Sequence, residues 1–284
     1  MRLIFSRKGF DSSAGGCANA LLPDGTLLPF PIPDPDSPLT YADLRHPDVE
    51  PAALIRDLTR GKVLPGHGAH LDPDLDAAAL AQRPRGWRPL FGQAGAAQRH
   101  LLNQGVQVGD LFLFYSWFRP VDHDGSRYRF TPRGADEHLL YGWFQIGSIH
   151  QLGGESRQRV AGLNQHPHAF GTRGSLNVVY RASSRLVLPG LAGRMPGAGQ
   201  WRTRCAERVL TEAGRSRGRW LLPGWFHPEG RASVLSYHAD PNRWQRFGDL
   251  VRLQNVHRGQ EFVLSCDDYP EAFPWLVSLF TPAP

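Results

Sequence analysis

Lysine is nearly missing from this chain: of its 32 basic residues only Lys8 and Lys62 are lysines, the rest being arginine. Cysteine is scarce as well, with 3 in 284 residues (Cys17, Cys205 and Cys266) and no CxxC pair. That excludes a disulfide framework and a zinc ribbon. Long hydrophobic runs are absent. The longest apolar and aromatic stretch, Leu111–Phe118, falls far short of the ~20 residues a membrane span needs. The first ten residues interleave Arg2, Arg7 and Lys8 with apolar positions, which predicts no signal peptide and a cytoplasmic, bacterial-style protein. There is no Walker A loop, no Gly-x-Gly-x-x-Gly, no Gly-x-Ser-x-Gly and no zinc-deaminase signature, so those chemistries and their cofactors are not expected. No cofactor is assigned.

What is present is a globular composition, 41% hydrophobic and 20% charged. Such a chain is long enough to hold a core without staples. It reads as a single domain, residues 1–284, with a subdivision into a mixed lobe at 1–105 and a β-rich basic lobe at 106–284. Charge is uneven. Residues 1–80 carry 7 basic and 11 acidic side chains, whereas residues 151–231 carry 13 Arg against 4 Glu. A basic surface beside an acidic one points to a polyanionic partner, DNA being the natural candidate.

The predicted fold class is α+β, with helices mainly before residue 105 and a β-rich, barrel-like core after it. Arg2–Phe5 reads as a first strand. Helices are predicted at Pro51–Arg60, Asp72–Gln82, Ala94–Gln104 and, despite Pro274, at Pro270–Phe280. Further strands are predicted at Gly109–Phe118, Leu139–Ile149, Asn177–Tyr180, Leu186–Leu188, Ser233–Tyr237 and Glu261–Leu264. In the run Pro29–Pro38 the prolines cannot donate to ladders or continue a helix, so an extended loop crossing a surface is expected. A loop of that length is expected to line a site.

Several constellations bear on chemistry. The loop Ser6–Gly16 follows the first strand and holds Arg7, Lys8, Asp11, Ser12 and three glycines. Lys8 suits a nucleophile or phosphate donor, and Asp11 a general acid or base. Glu261, at a predicted strand start after His257 and Arg258, is a candidate second catalytic carboxylate. Gln93 and Gln98 are expected on one short helix rich in amides and alanines, suited to a base edge. Trp117 and Trp143, on two adjacent strands, suit an aromatic cage for a base. Arg119, Arg215 and Arg217 complete the candidate nucleic-acid contacts. The cluster His67, His70, Asp72 and Asp74, like His166 and His168, is dense in possible ligands, but its spacing matches no recognised set, and no metal is assigned.

Gly109-Asp110 followed by a bulky strand, a loop and a strand ending Gly147-Ser148-Ile149 resembles the barrel of PUA-like, EVE and ASCH domains, which bind RNA or modified bases. Over nearly the whole chain, Ser6–Gly16, Leu22-Pro23-Asp24-Gly25, Gly92–Gln98, Asn103-Gln104-Gly105-Val106, Gly109–Phe114, Leu235-Ser236-Tyr237-His238 and Arg258–Val263 resemble the nucleotide modification associated domain 3 family. The resemblance implies a bacterial or phage protein that makes, reads or removes modified bases in DNA. It transfers no reaction and no residue roles. Three functions are compatible with it: a base-processing enzyme centred on Lys8 and Asp11, a non-catalytic reader of modified bases, and a nucleotide or nucleotide-sugar enzyme without DNA affinity.

Overall fold

A computed structural model describes residues 1–152, 160–174, 176–256 and 261–281. His257, Arg258, Gly259 and Gln260 lie outside the described residues, as does part of the Arg-rich segment. The strands run β1 (Arg2–Arg7), β2 (Asn19–Leu21), β3 (Leu27–Leu28), β4 (Ile32–Pro33), β5 (Ala69–His70), β6 (Leu90–Ala94), β7 (Leu111–His123) and β8 (Tyr128–Phe130). They continue as β9 (Glu137–Gln151), β10 (Asn177–Ala182), β11 (Ala198–Gln200), β12 (Arg219–Pro223), β13 (Trp244–Phe247), β14 (Leu250–Gln254) and β15 (Glu261–Ser265). Among the described residues three α-helices accompany them: α1 (Pro51–Leu58), α2 (Gly95–Asn103) and α3 (Ala272–Phe280). The architecture is α+β and strand-rich, with two of the three helices before residue 105. None of the helices among the described residues is long and apolar enough to cross a membrane.

The main sheet has the order β15-β1-β7-β9-β10-β6, with β1 parallel to β7 and antiparallel to β15. Its central strands, β7 and β9, are buried along most of their length because apolar side chains leave both faces. The two-residue period divides those side chains. Leu3, Phe5, Leu111, Leu113 and Tyr115 enter one core with Trp220, Phe262 and Leu276. Ile4, Phe112, Phe114 and Phe118 enter another with Phe91, Phe144 and Tyr180. A bulge after Phe114 shifts the β7–β9 register by one residue, returning Leu140 to the first core. A third core forms under the early loops, where α1 packs Leu54, Ile55 and Leu58 against Phe10, Phe30 and Tyr41.

Three expected elements are absent. Asp72–Gln82 contains only a short 3-10 turn at Ala77–Ala79, capped by Asp76. Asp74 instead exchanges backbone hydrogen bonds with Leu90, and Asp72 is drawn into side-chain contacts described below. Leu186–Leu188 is not a strand, because its partner is a side chain: the Gln145 amide donates to Val187 O (2.9 Å) and accepts from Val187 N (2.8 Å). Ser233–Tyr237 begins to pair with β15, but the Ser236 hydroxyl accepts the Val263 N–H at 2.8 Å and Tyr237 takes a positive φ of 66°. Either feature ends a ladder. Pro274 does not interrupt α3, since it falls in the first turn, where a missing N–H costs nothing.

Trp143 belongs to the packing rather than to an open cage. It is 6% exposed, lies 5.0 Å from the Trp201 ring and 5.3 Å from Phe280, and donates Nε1 to Pro196 O at 3.0 Å. Trp143→Ala should therefore cost ~3–5 kcal/mol of stability in chemical denaturation. A loss below about 1 kcal/mol would show that the ring contributes little to the core.

Candidate active site and arginine groove

The site begins with a register. Ser6 of β1 stands opposite Glu261 of β15, and Lys8, two residues on, shares their face of the sheet. Lys8 N still donates to Tyr115 O (3.0 Å), which prolongs the strand. Its amine lies 3.1 Å from Glu261 Oε1 and 4.8 Å from the centre of the Phe91 ring. From β6, Gln93 Nε2 donates to the same Glu261 oxygen at 2.5 Å. β15 and β6 are the two ends of the sheet order, so this carboxylate joins them across a curled sheet. Glu261 is 1% exposed, and its Oε2 is buried with no hydrogen-bond partner among the described residues.

Beyond Lys8 the chain turns sharply. Gly9 has a φ of +86°, and a Cβ there would stand 2.9 Å from Asn19 Oδ1, the atom that accepts from Phe10 N and Phe30 N. Asp11 then organises the loop. Its Oδ1 accepts from Ser13 N, Ser13 Oγ and Ala14 N, at 2.7, 2.7 and 2.8 Å. Burial opposes ionisation of Asp11, but the Ser13 and Ala14 hydrogen bonds and the Arg7 charge outweigh it and hold the carboxyl below its usual range. A carboxylate so occupied suits fixing the loop better than moving protons.

This loop is the wall between two cavities. The inner one, about 260 Å³, is lined by Lys8, Asp11, Gln93, His70, Asp72, His168 and Arg173 among others, and by Ile32 of the proline-rich run. The outer one, about 670 Å³, is lined by Arg7, Asp11, Ser12, Asp136, His138, Arg215 and Arg217. Arg7, Asp11 and Ser13 line both. In the outer groove Arg217 lies 3.9 Å over the Trp117 ring and donates to Ser12 Oγ at 3.2 Å. Trp117 Nε1 donates to Asp136 Oδ1 at 2.7 Å. Arg7, Ser12, Trp117, Arg215 and Arg217 are thus brought together.

Other candidates lie elsewhere. Gln98 is buried on α2 and accepts from the Tyr180 hydroxyl at 2.8 Å. Arg119 is half-buried over Phe130. Trp143 is in the core. His67 is exposed and Asp74 is tied to Arg83 by two hydrogen bonds (2.6 and 2.7 Å), so neither joins the inner cavity.

The inner cavity also holds groups that spacing along the chain does not connect. Asp72 faces three imidazoles: His70 Nε2 and His168 Nε2 are 3.7 and 3.6 Å from Oδ2, and His166 Nε2 is 3.4 Å from Oδ1. Desolvation opposes charge on Asp72, but these imidazoles hold its carboxyl well below the usual range. Desolvation, only partly offset by Asp72, pushes His168 down to about 3. His70 moves the other way, because Asp34 and Asp72 overcome its burial. Asp34 Oδ2 lies 2.7 Å from His70 Nδ1 and also accepts from Arg173. Asp34 and Arg173 were not singled out from the sequence. Asp34 lies in the proline-rich loop expected to line a site and in the string Pro31-Ile32-Pro33-Asp34, which shares in the family resemblance.

Among known proteins, a family model for nucleotide modification associated domain 3 matches residues 2–265. The match spans every strand described above, and the chain belongs to that family. It therefore falls among proteins associated with nucleotide or DNA modification. No curated protein and no solved structure matches it.

The groove wall is acid-sensitive. His138 is buried and accepts from Trp220 Nε1 at 2.9 Å. Burial, with Arg217 and Arg7 nearby, pushes it down to about 3. An unfolded histidine titrates near pH ~6.5, so this stabilisation is complete above that value and is lost as pH falls towards 3. The group alone should steepen the loss of unfolding free energy by up to about 1.4 kcal/mol per pH unit between pH 6.5 and 4. His138→Gln keeps an acceptor but cannot titrate, and should show a shallower pH dependence in urea titrations. Parallel profiles would refute a depressed His138.

Proposed function

We propose that this protein is an enzyme acting on a nucleotide unit, most naturally a modified base presented by DNA. In this reading the outer groove holds the phosphates and the inner cavity takes the reacting part. The observation that carries it is the shared wall. A groove with Arg7, Arg215 and Arg217 opens beside a cavity lined by Lys8, whose amine lies 3.1 Å from the buried Glu261 Oε1. Guanidinium forks suit phosphate. A compact amine beside a buried carboxylate suits general-acid chemistry at a base or sugar, with Lys8 Nζ facing the cavity and Glu261 Oε1 holding the amine in place. Asp11 keeps the loop in place, so that both cavities keep their shape. A pure reader is less well supported, because Trp143, half of the proposed cage, packs against Trp201 and Phe280.

The test is a product search by mass spectrometry with modified duplexes, unmodified duplexes and free nucleotides. Lys8→Arg and Glu261→Gln should each lower turnover ~100-fold or more, the scale of a lost acid–base group, with little change in substrate affinity. Arg215→Glu with Arg217→Glu should instead weaken duplex binding and flatten its salt dependence. Saturable, modification-dependent binding without product would establish a reader and overturn the enzyme. Turnover of free nucleotides without duplex affinity would overturn the role of DNA.

A further inference from the structure

We propose that His70, Asp72 and His168 form a binding site for one divalent first-row transition-metal ion, of the zinc or ferrous class, open to the inner cavity. The inference deepens the reading of that cavity given above, but its test needs no turnover.

The three donor atoms lie within 4.8 Å of one another. The separations of 3.6 and 3.7 Å between the two imidazoles and Asp72 Oδ2 are too long for hydrogen bonds. They are close to what an ion requires, since ligand atoms about 2.0–2.2 Å from a metal stand roughly 3–4.4 Å apart. The surroundings decide which atoms are free to bind. Asn177 Nδ2 donates to His168 O at 2.8 Å, which turns its Oδ1 towards His168 Nδ1 at 2.7 Å. The His168 proton is therefore held on Nδ1, and Nε2 presents a lone pair. Asp34 Oδ2 does the same for His70 Nδ1 at 2.7 Å, the carboxylate–imidazole support usual for metal-bound histidine. Gly92 N donates to Asp72 Oδ1 at 2.8 Å, which leaves Oδ2 facing both imidazoles.

Two further features shape the site. His166 Nε2 is buried with no hydrogen-bond partner among the described residues, 3.4 Å from Asp72 Oδ1. Its Nδ1 accepts from His168 N at 3.3 Å, so the ring proton sits on Nε2, beside the carboxylate. Gly92 also has a specific use here: a Cβ would stand 2.3 Å from the His168 ring, so only glycine lets that imidazole lie against β6. Two nitrogens and one oxygen suit zinc, iron, cobalt or nickel better than magnesium or calcium, which favour all-oxygen sets. Three protein ligands leave coordination positions free, as catalytic rather than structural sites do. Lys8 and Arg173 line the cavity those positions face.

The experiment uses tag-free protein, stripped with a chelator and titrated with Co2+, with metal counted by mass spectrometry and visible absorption recorded. The expected result is about one ion per chain with a d–d band of nitrogen and oxygen ligation, and a rise in Tm with added metal. His70→Ala and His168→Ala should lose this binding, and Asn177→Ala should weaken it ~10–100-fold by freeing His168 to turn. His67→Ala, a nearby exposed histidine, should bind as the wild type does. Circular dichroism separates lost ligation from lost fold, and the wild-type Tm shift stands even if a variant misfolds. Stoichiometry below about 0.1 ion per chain, or equal binding in His70→Ala and His168→Ala, would overturn the site. Metal binding without any product would leave the site standing and count only against the enzyme reading.

Discussion

A carboxylate buried as deeply as Glu261 has to be met by a cation and by hydrogen-bond donors, or the fold around it is costly. Lys8 and Gln93 meet that need from opposite sides, one from the loop after β1 and the other from β6. The same contact therefore closes the sheet and positions Lys8 and Gln93 in the lining of the inner cavity. An apolar pair of similar volume would close the sheet as well and at less electrostatic cost. That a charged pair stands there is the strongest physical hint that the position serves chemistry as well as architecture. The orphaned Oε2 of Glu261 adds to it, since buried acceptors without partners concentrate where ligands complete the set.

The central sheet was legible because period-two patterning is local. Leu111–Phe118 and Leu139–Ile149 lie within the strands read from them, although both strands run further in polar residues that the apolar pattern does not mark. The failures are equally physical. Leu186–Leu188 has the composition of a strand, but its hydrogen-bond partner is a glutamine side chain that no spacing rule anticipates. Asp72–Gln82 has a good capping residue and four alanines, yet Asp72 is spent on Gly92 and a ring of imidazoles. Tertiary contacts overrode a local signal in both places.

The site was legible in parts and not as a whole. Lys8, Asp11 and Glu261 could be singled out because lysine is rare here, because the loop follows a strand, and because an acid opens a strand. That Lys8 and Glu261 touch depends on β1 pairing with β15, a fact about topology. The histidine cluster shows the same limit more sharply. His70 and Asp72 were noticed with His67 and Asp74, and His166 with His168, as two separate groups of no defensible spacing. Folding discards His67 and Asp74 and joins the remainder.

Gln93 and Glu261, the two residues that fasten the sheet, are 168 positions apart, and β15 is the last of the described strands in chain order. Without β15, Lys8 and Gln93 would still line the inner cavity, but the carboxylate that both contact would be gone. A fragment that stops short of β15 would thus keep the cavity's cations and lose their buried counter-charge.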